Sequence, residues 1–201
     1  MKLTTLTQIT VDGVVQGNGG RNENRSGGFE RGGWARPYFH PESAAYVGEV
    51  FARADAFLFG RRTYDLFAGY WGVQELGSGP IADSMNTRPK YVASTTMTEA
   101  GWADTTVLSG DLAEAVRELK AKPGGELQVH GSGTLVQWLL ANDLIDELNL
   151  LVFPVIVGQG ARLFPGNGPD LALDLVQSRV FPQGVVLQTY RAAGKPQYAA
   201  D

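Results

Sequence analysis

The chain contains no cysteine. Disulfides, thiolate-held zinc or iron–sulfur clusters and a thiol nucleophile are therefore excluded. Only two histidines occur, His40 and His130, so a multi-histidine metal centre is not expected. Lys and Arg number 17 against 21 Asp and Glu, a formal charge of −4. That balance argues against nucleic-acid binding, which needs a basic face that releases counterions. No apolar run approaches the roughly 20 residues of a membrane span. The opening MKLTTLTQIT has neither the apolar stretch nor the cleavage site of a secretory signal. These absences predict a cytoplasmic protein without a membrane partner.

What is abundant is glycine, at 26 of 201 residues, against a usual level of about 7 %. Such an excess means tight turns or close backbone approaches. Apolar residues make up 43 %, enough for an ordinary folded core at this length. A single domain over residues 1–191 is expected, followed by a frayed tail over 192–201. Eight glycines crowd into residues 13–33, which leaves no room for a helix or strand. A loop that long is either functional or disordered. Phe29, Trp34, Tyr38 and Phe39 flank it. They either pack the loop down or form a lid that stacks on a flat substrate and excludes water.

Hydrophobic periodicity predicts the remaining elements. Lys2 to Thr10 reads as a strand, and Pro41 to Arg53 as a helix with Pro at its first turn. Ala56 to Phe59 is a short buried strand, followed by a helix over Thr63 to Tyr70. GSGP at 77–80 is a turn. Lys90 to Thr95, Thr106 to Leu108 and Leu127 to His130 are strands. Asp111 to Lys122 is an amphipathic helix stopped by Pro123-Gly124-Gly125. Gly131 to Thr134 opens a helix through Ala141. Ile145 to Phe153 is a longer strand, and Leu171 to Phe181 with Val185 to Tyr190 form a closing hairpin. Strands alternating with helices imply an α/β fold: a mixed, mostly parallel sheet with helices on both faces. The C-terminal hairpin adds antiparallel strands at its edge.

In such sheets ligands bind at the carboxyl ends of the strands. Two junctions there carry chemistry. In Phe59-Gly60-Arg61-Arg62-Thr63 a strand ends at glycine, two arginines follow, and Thr63 can cap the next helix. In His130-Gly131-Ser132-Gly133-Thr134 small residues open a helix whose N–H groups can hold a phosphate. Together they suit a nucleotide with two phosphate clusters. On spacing alone, the second is equally a tight strand-to-helix turn, and an Arg pair is usually a solvated face; the two coinciding at strand ends favours the ligand. No G-x-G-x-x-G and no G-x-x-x-x-G-K-[ST] occurs. Gly131-Ser132-Gly133 is not the G-x-S-x-G of a serine hydrolase.

Four strings in order resemble the dihydrofolate reductase-like family. They are Thr10 to Gly13, Leu58 to Tyr64, Tyr91 to Thr95, and His130 to Leu135 through Leu148 to Pro154. The branch they resemble most contains the C-terminal reductase domain of the bifunctional riboflavin-biosynthesis deaminase/reductase. The resemblance implies NADPH as reductant and a small-molecule, pteridine- or pyrimidine-like substrate. It implies that Gly60, Arg61 and Thr63 sit on the cofactor phosphates. Ser94 and Thr95 would meet the adenosine ribose and its 2′-phosphate. Gly131, Ser132, Gly133, Thr134 and Leu135 would wrap the pyrophosphate, and Thr10 would face the nicotinamide. Trp34, Phe39 and His130 are the substrate-side candidates. His130 stands where the riboflavin enzyme carries an acidic residue that touches substrate. The proton-donor candidates are Asp12 and Glu42, with Glu49 one turn further on; Asp12 is equally a turn residue before Gly13. The resemblance also implies a homodimer, with Leu148, Leu150, Val152 and Val155 on a long apolar strand that either extends a sheet across a two-fold axis or lies in the sheet centre, buried within one subunit. The alternative is a nucleotide-binding or regulatory protein that keeps the fold without turnover. A proton donor in the pocket would favour the enzyme, and a pocket closed by the aromatics the alternative.

Overall fold

The computed structural model describes residues 1–168 and 170–199. Eight strands form one sheet: β1 (Lys2–Thr10), β2 (Ala54–Gly60), β3 (Lys90–Ala93), β4 (Thr105–Leu108), β5 (Glu126–Val129), β6 (Glu147–Phe153), β7 (Leu173–Val180) and β8 (Val186–Ala192). Their order is β4-β3-β2-β5-β1-β6-β8-β7. The first six run parallel, while β6–β8 and β8–β7 are antiparallel. The mostly parallel sheet and the closing hairpin are therefore as expected.

The helices are α1 (Pro41–Ala52), α2 (Arg61–Tyr70), α3 (Pro80–Thr87), α4 (Leu112–Ala121) and α5 (Gly133–Ala141). They cover both faces. Phe51 of α1, Tyr64 of α2 and Met85 of α3 join Phe57, Phe59 and Phe153 in one apolar layer. Val116 and Leu119 of α4 and Leu135, Val136 and Leu139 of α5 join Leu3, Leu58 and Leu127 in the other. This follows from strand alternation: Phe57 and Phe59 point one way and Leu58 the other.

Four expectations need correction. Helix α2 starts at Arg61 with Gly60 at its N-cap, so Thr63 lies inside the first turn and does not cap it. Helix α3 has no counterpart in the sequence reading. Its residues, PIADSMNT, are poor helix formers, and tertiary packing of Ala82 and Met85 holds it. Lys90 heads β3 fully buried; its ammonium donates to Met85 O and Arg88 O at 2.8 Å, tying α3 to the sheet. Strand β6 is paired on both sides, by β1 and β8, so Leu148, Leu150 and Val152 cannot extend the sheet into a second subunit. The chain after 192 continues the hairpin ladder, with Ala193 N on Ala172 O at 2.8 Å and Ala172 N on Gly194 O at 2.9 Å. Ala200 and Asp201, the end of the expected tail, lie outside the described residues.

The glycine-rich loop is packed down. Phe29 is 1 % exposed and Trp34 7 %. A Cβ on Gly17 or Gly160 would fall 2.8 or 2.7 Å from the Phe29 ring, so these two glycines clasp that ring between bare backbone. Gln16 organises the rest. Its amide donates to Asn24 O and Ser26 O at 3.1 and 2.9 Å, its side-chain oxygen accepts from Ala161 N at 3.0 Å, and its carbonyl accepts from Trp34 Nε1 at 2.8 Å.

Candidate functional site

Because six strands are parallel, Thr10, Gly60, Ala93, Leu108, Val129 and Phe153 end on one edge of the sheet. The two glycine junctions meet there. Gly60 N donates to Gly131 O at 3.0 Å. Gly131 has φ +136, and a Cβ on it would stand 2.8 Å from Thr63 Oγ1, so only glycine suits this position. The Gly131–Ser132 peptide is cis. A Cβ on Gly133 would meet Val15 Cγ2 at 3.0 Å, which brings the glycine-rich loop up to the same turn.

The helix starts at these junctions are open. His40 and Ser43 cap α1, and Asp111 caps α4 by accepting from Glu114 N. Neither Gly60 of α2 nor Ser132 of α5 gives its helix a side-chain cap; α3 also has none. Two uncapped N-termini therefore converge, each with first-turn N–H groups that favour an anion. Their charge is supplemented unequally. Arg61 Nε lies 2.9 and 2.7 Å from the two Asp65 carboxylate oxygens. Arg62 contacts the Ser26 hydroxyl at 3.3 Å, and among the described residues it has no acidic partner.

The other expected cofactor residues fall at the same edge. Ser94 follows β3, and its Oγ accepts from Thr96 N and Met97 N at 3.3 and 3.0 Å, which leaves its O–H free to donate. Thr95 is exposed beside it, as is Thr134 on α5. The Leu135 side chain is buried in the layer under α5, so only its backbone faces this edge. The Thr10 hydroxyl is committed: it donates to Asp12 Oδ1 at 2.7 Å and accepts from Val14 N at 2.8 Å.

Neither proton-donor candidate is placed as a donor. Asp12 accepts from Thr10 Oγ1 and from Val157 N and Gly158 N at 3.0 and 2.8 Å, and it faces Arg162 at 3.3 Å. The Thr10 hydroxyl foremost, with the two backbone N–H groups, holds its carboxyl well below the usual carboxylate range. It stays ionised and pins the end of β1 to the segment before Leu163. Glu42 pairs with Arg179 of β7 at 2.7 Å on the exposed surface. Glu49 is also exposed.

The substrate-side candidates divide. The Trp34 ring is buried edge-on against Phe153 at 5.5 Å, so it belongs to the core. Phe39 is 46 % exposed and lies edge-on to Phe153 at 6.2 Å. His130 stacks on Phe51 at 3.9 Å and is half-buried. Burial among these rings takes its pKa from 6.5 down to about 3, so it is neutral at physiological pH. Gln8, half-buried on β1, Val15 and Arg162 escaped the sequence reading. No local signal singles out Gln8, which stands among Thr4, Thr5, Thr7 and Thr10 on the same strand. An apolar cavity of about 510 Å³ opens between α5 and Leu163, Phe164, Pro165 and Leu173, with Thr134 of the second junction in its lining. None of the junction glycines lines it.

Among the described residues no helix is long and apolar enough to cross a membrane, and no three acidic or histidine side chains cluster as metal ligands. The family model described as RibD C-terminal domain matches residues 1–187. The uncharacterized protein YyaP of Bacillus subtilis (strain 168) is 26 % identical over 191 residues, covering 92 % of each chain. A solved structure from Shewanella sp. PV-4, assigned by name to riboflavin biosynthesis, is 25 % identical with a TM-score of 0.72, covering 96 % of this chain and 99 % of its own. Dihydrofolate reductase from Enterococcus faecalis, complexed with NADP(H) and RAB-propyl, shares the fold at 13 % identity and a TM-score of 0.61, covering 96 % of each chain.

Proposed function

The chain belongs to the RibD C-terminal domain family, and from that premise we propose that it is an NADPH-dependent reductase of a small, planar heterocycle. The family and the fold are reductase-like. One observation carries the reading to a dinucleotide: two uncapped helix N-termini, at Gly60–Thr63 and Gly131–Thr134, touch backbone to backbone at the carboxyl edge of a parallel sheet. That arrangement fits a ligand with separated phosphates, because each helix start offers N–H donors and positive dipole.

NADPH, when bound, supplies the hydride. Gly131 through Leu135 hold the pyrophosphate with backbone N–H groups. Arg62, with the Ser94 and Thr95 hydroxyls, takes the 2′-phosphate, while Arg61 is shared with Asp65. The loop over residues 13–40 covers the reacting face. Asp12, ionised and tied to Thr10, keeps β1 in register with that loop. With Glu42 on the surface, the proton for the product comes from water. The enzyme works in the cytoplasm on a small molecule, binding neither membrane nor nucleic acid. Its edge strand β7 has all eight residues exposed, including Leu175 and Val180, which supports a homodimer; sedimentation as a 21.6 kDa species at micromolar concentration would refute that part.

Calorimetric titration with NADPH and NADH tests the reading. We expect NADPH to bind at one per chain and NADH to bind on the order of ten- to a hundredfold more weakly, the loss of one charge-assisted contact. Failure of NADPH to bind, or equal affinities, overturns it. A second reading, a nucleotide-binding protein without turnover, is favoured by Asp12 being a fixed anion and Glu42 being held in a surface ion pair. It predicts the same titration but no oxidation of NADPH with any reducible pterin or pyrimidine.

A further inference from the structure

We propose that Asn167, in the surface turn before β7, is a site of spontaneous modification that converts to aspartate and iso-aspartate, while the fold shields the chain's other Asn-Gly pair, Asn18–Gly19, from the same reaction. The inference stands apart from the reductase reading.

Asn followed by Gly occurs twice, at 18–19 and at 167–168. In such a pair the glycine backbone nitrogen can attack the Asn side-chain carbonyl carbon, because glycine has no Cβ to hinder the approach. A C–N bond closes a five-membered succinimide. The amide nitrogen leaves as ammonia, taking the proton that the backbone nitrogen gives up. Water then opens the ring at either carbonyl, giving aspartate or iso-aspartate. Nothing is oxidised or reduced, and water is the one co-reactant. Two restraints oppose the reaction: a side-chain amide that cannot turn toward the backbone, and a backbone N–H already held by an acceptor.

Both restraints act on the first pair, which is half-buried. Asn18 Nδ2 donates to Gln8 Oε1 at 2.9 Å, and Asn18 O accepts from Ala35 N at 3.3 Å. Gly19 N donates to Glu23 Oε2 at 2.9 Å, and a bond to a carboxylate holds the hydrogen more firmly than a bond to a neutral oxygen. A Cβ on Gly19 would collide with that same carboxylate oxygen, so Glu23 is packed directly against the would-be nucleophile.

The second pair is open. Residues 164–168 are all exposed. Gly168 N donates to the neutral Pro165 O at 3.1 Å within the turn, a bond that an exposed turn opens at little cost. A Cβ on Gly168 would find Pro165 O at 3.4 Å as its nearest neighbour, an ordinary contact, so the approach to its nitrogen is uncrowded. The product places a carboxylate beside Gly168, which lines the apolar cavity at α5. In the iso-aspartate form it also adds one backbone atom to the segment leading into β7.

The test holds the full folded chain at mildly alkaline pH, digests samples in acid, and follows the two Asn-Gly peptides by mass spectrometry. The Asn167 peptide should convert at least about tenfold faster than the Asn18 peptide, the margin that one protecting hydrogen bond sets. In urea the two rates should converge, since the restraints on Asn18 belong to the fold. Glu23→Ala frees Gly19 N and should raise the Asn18 rate about tenfold while leaving Asn167 unchanged. Should that variant fail to fold by circular dichroism, Gln8→Leu, which frees the Asn18 amide, takes its place with the same expectation. Equal rates in the folded chain, faster conversion at Asn18, or a difference that persists in urea overturns the proposal. So does an Asn167 that converts in urea but not in the folded chain, or an Asn18 rate that the folded variant does not raise.

Discussion

Acidification from pH 7 to pH 5 should destabilise this protein through His130 alone among its strongly shifted groups. Burial against Phe51 and Phe57 takes the folded-state pKa from 6.5 down to about 3. Below pH 6.5 the unfolded chain binds a proton here that the folded chain refuses. Stability therefore falls as pH drops through 6.5, and the loss ends only near 3. Each unit corresponds to about 1.4 kcal/mol, so pH 5 costs up to about 2 kcal/mol relative to pH 7. Part of the residue is exposed, which makes that figure an upper bound. Asp12 acts in a separate window, because its lowered pKa withdraws stability only below the ordinary carboxylate value of 3.8. Urea unfolding of wild type and His130→Gln at the two pH values is the assay. Glutamine cannot take the proton, so the variant should lack most of the acid-dependent loss, whatever its stability at pH 7. Equal losses in both proteins would show that His130 is not held neutral by its ring stack.

Trp34→Ala should cost about 3–5 kcal/mol, since it empties a buried aromatic site and frees Gln16 O; calorimetry should show the melting temperature falling by roughly 10 °C. Turnover lost with the melting temperature unchanged would instead make Trp34 part of a moving lid. Arg62→Gln should weaken NADPH on the order of tenfold or more and leave NADH unchanged, whereas Arg61→Gln should do less because Asp65 already holds that guanidinium; the reverse ranking by titration would transfer the phosphate role. Gly131→Ala forces a side chain into a positive-φ position against Thr63 and should cost about 1–3 kcal/mol while weakening NADPH. Normal binding and stability in that variant would refute the junction as built.

Strands β1 to β6, helix α1, helix α4 and the hairpin were legible because each carries its own periodicity, cap or stop. The two glycine junctions were legible too, since a strand end followed by small residues and arginines is a local pattern. Tertiary structure decided the rest. Helix α3 exists because Ala82 and Met85 pack onto neighbours, which outweighs the poor propensities of Ser84, Asn86 and Thr87. An apolar run such as β6 reads alike at a sheet edge or centre, and only pairing by β1 and β8 places it. The glycines of the long loop suggest mobility when counted, yet Gly17 and Gly160 are 143 residues apart in sequence and meet on one ring. Asp12 is a candidate acid on paper and a fixed anion in the fold, because its partners Val157, Gly158 and Arg162 come from the far end of β6. Local pattern is written within a turn or two of chain. Which groups face one another across the sheet depends on burying both apolar layers at once, and no short window contains that.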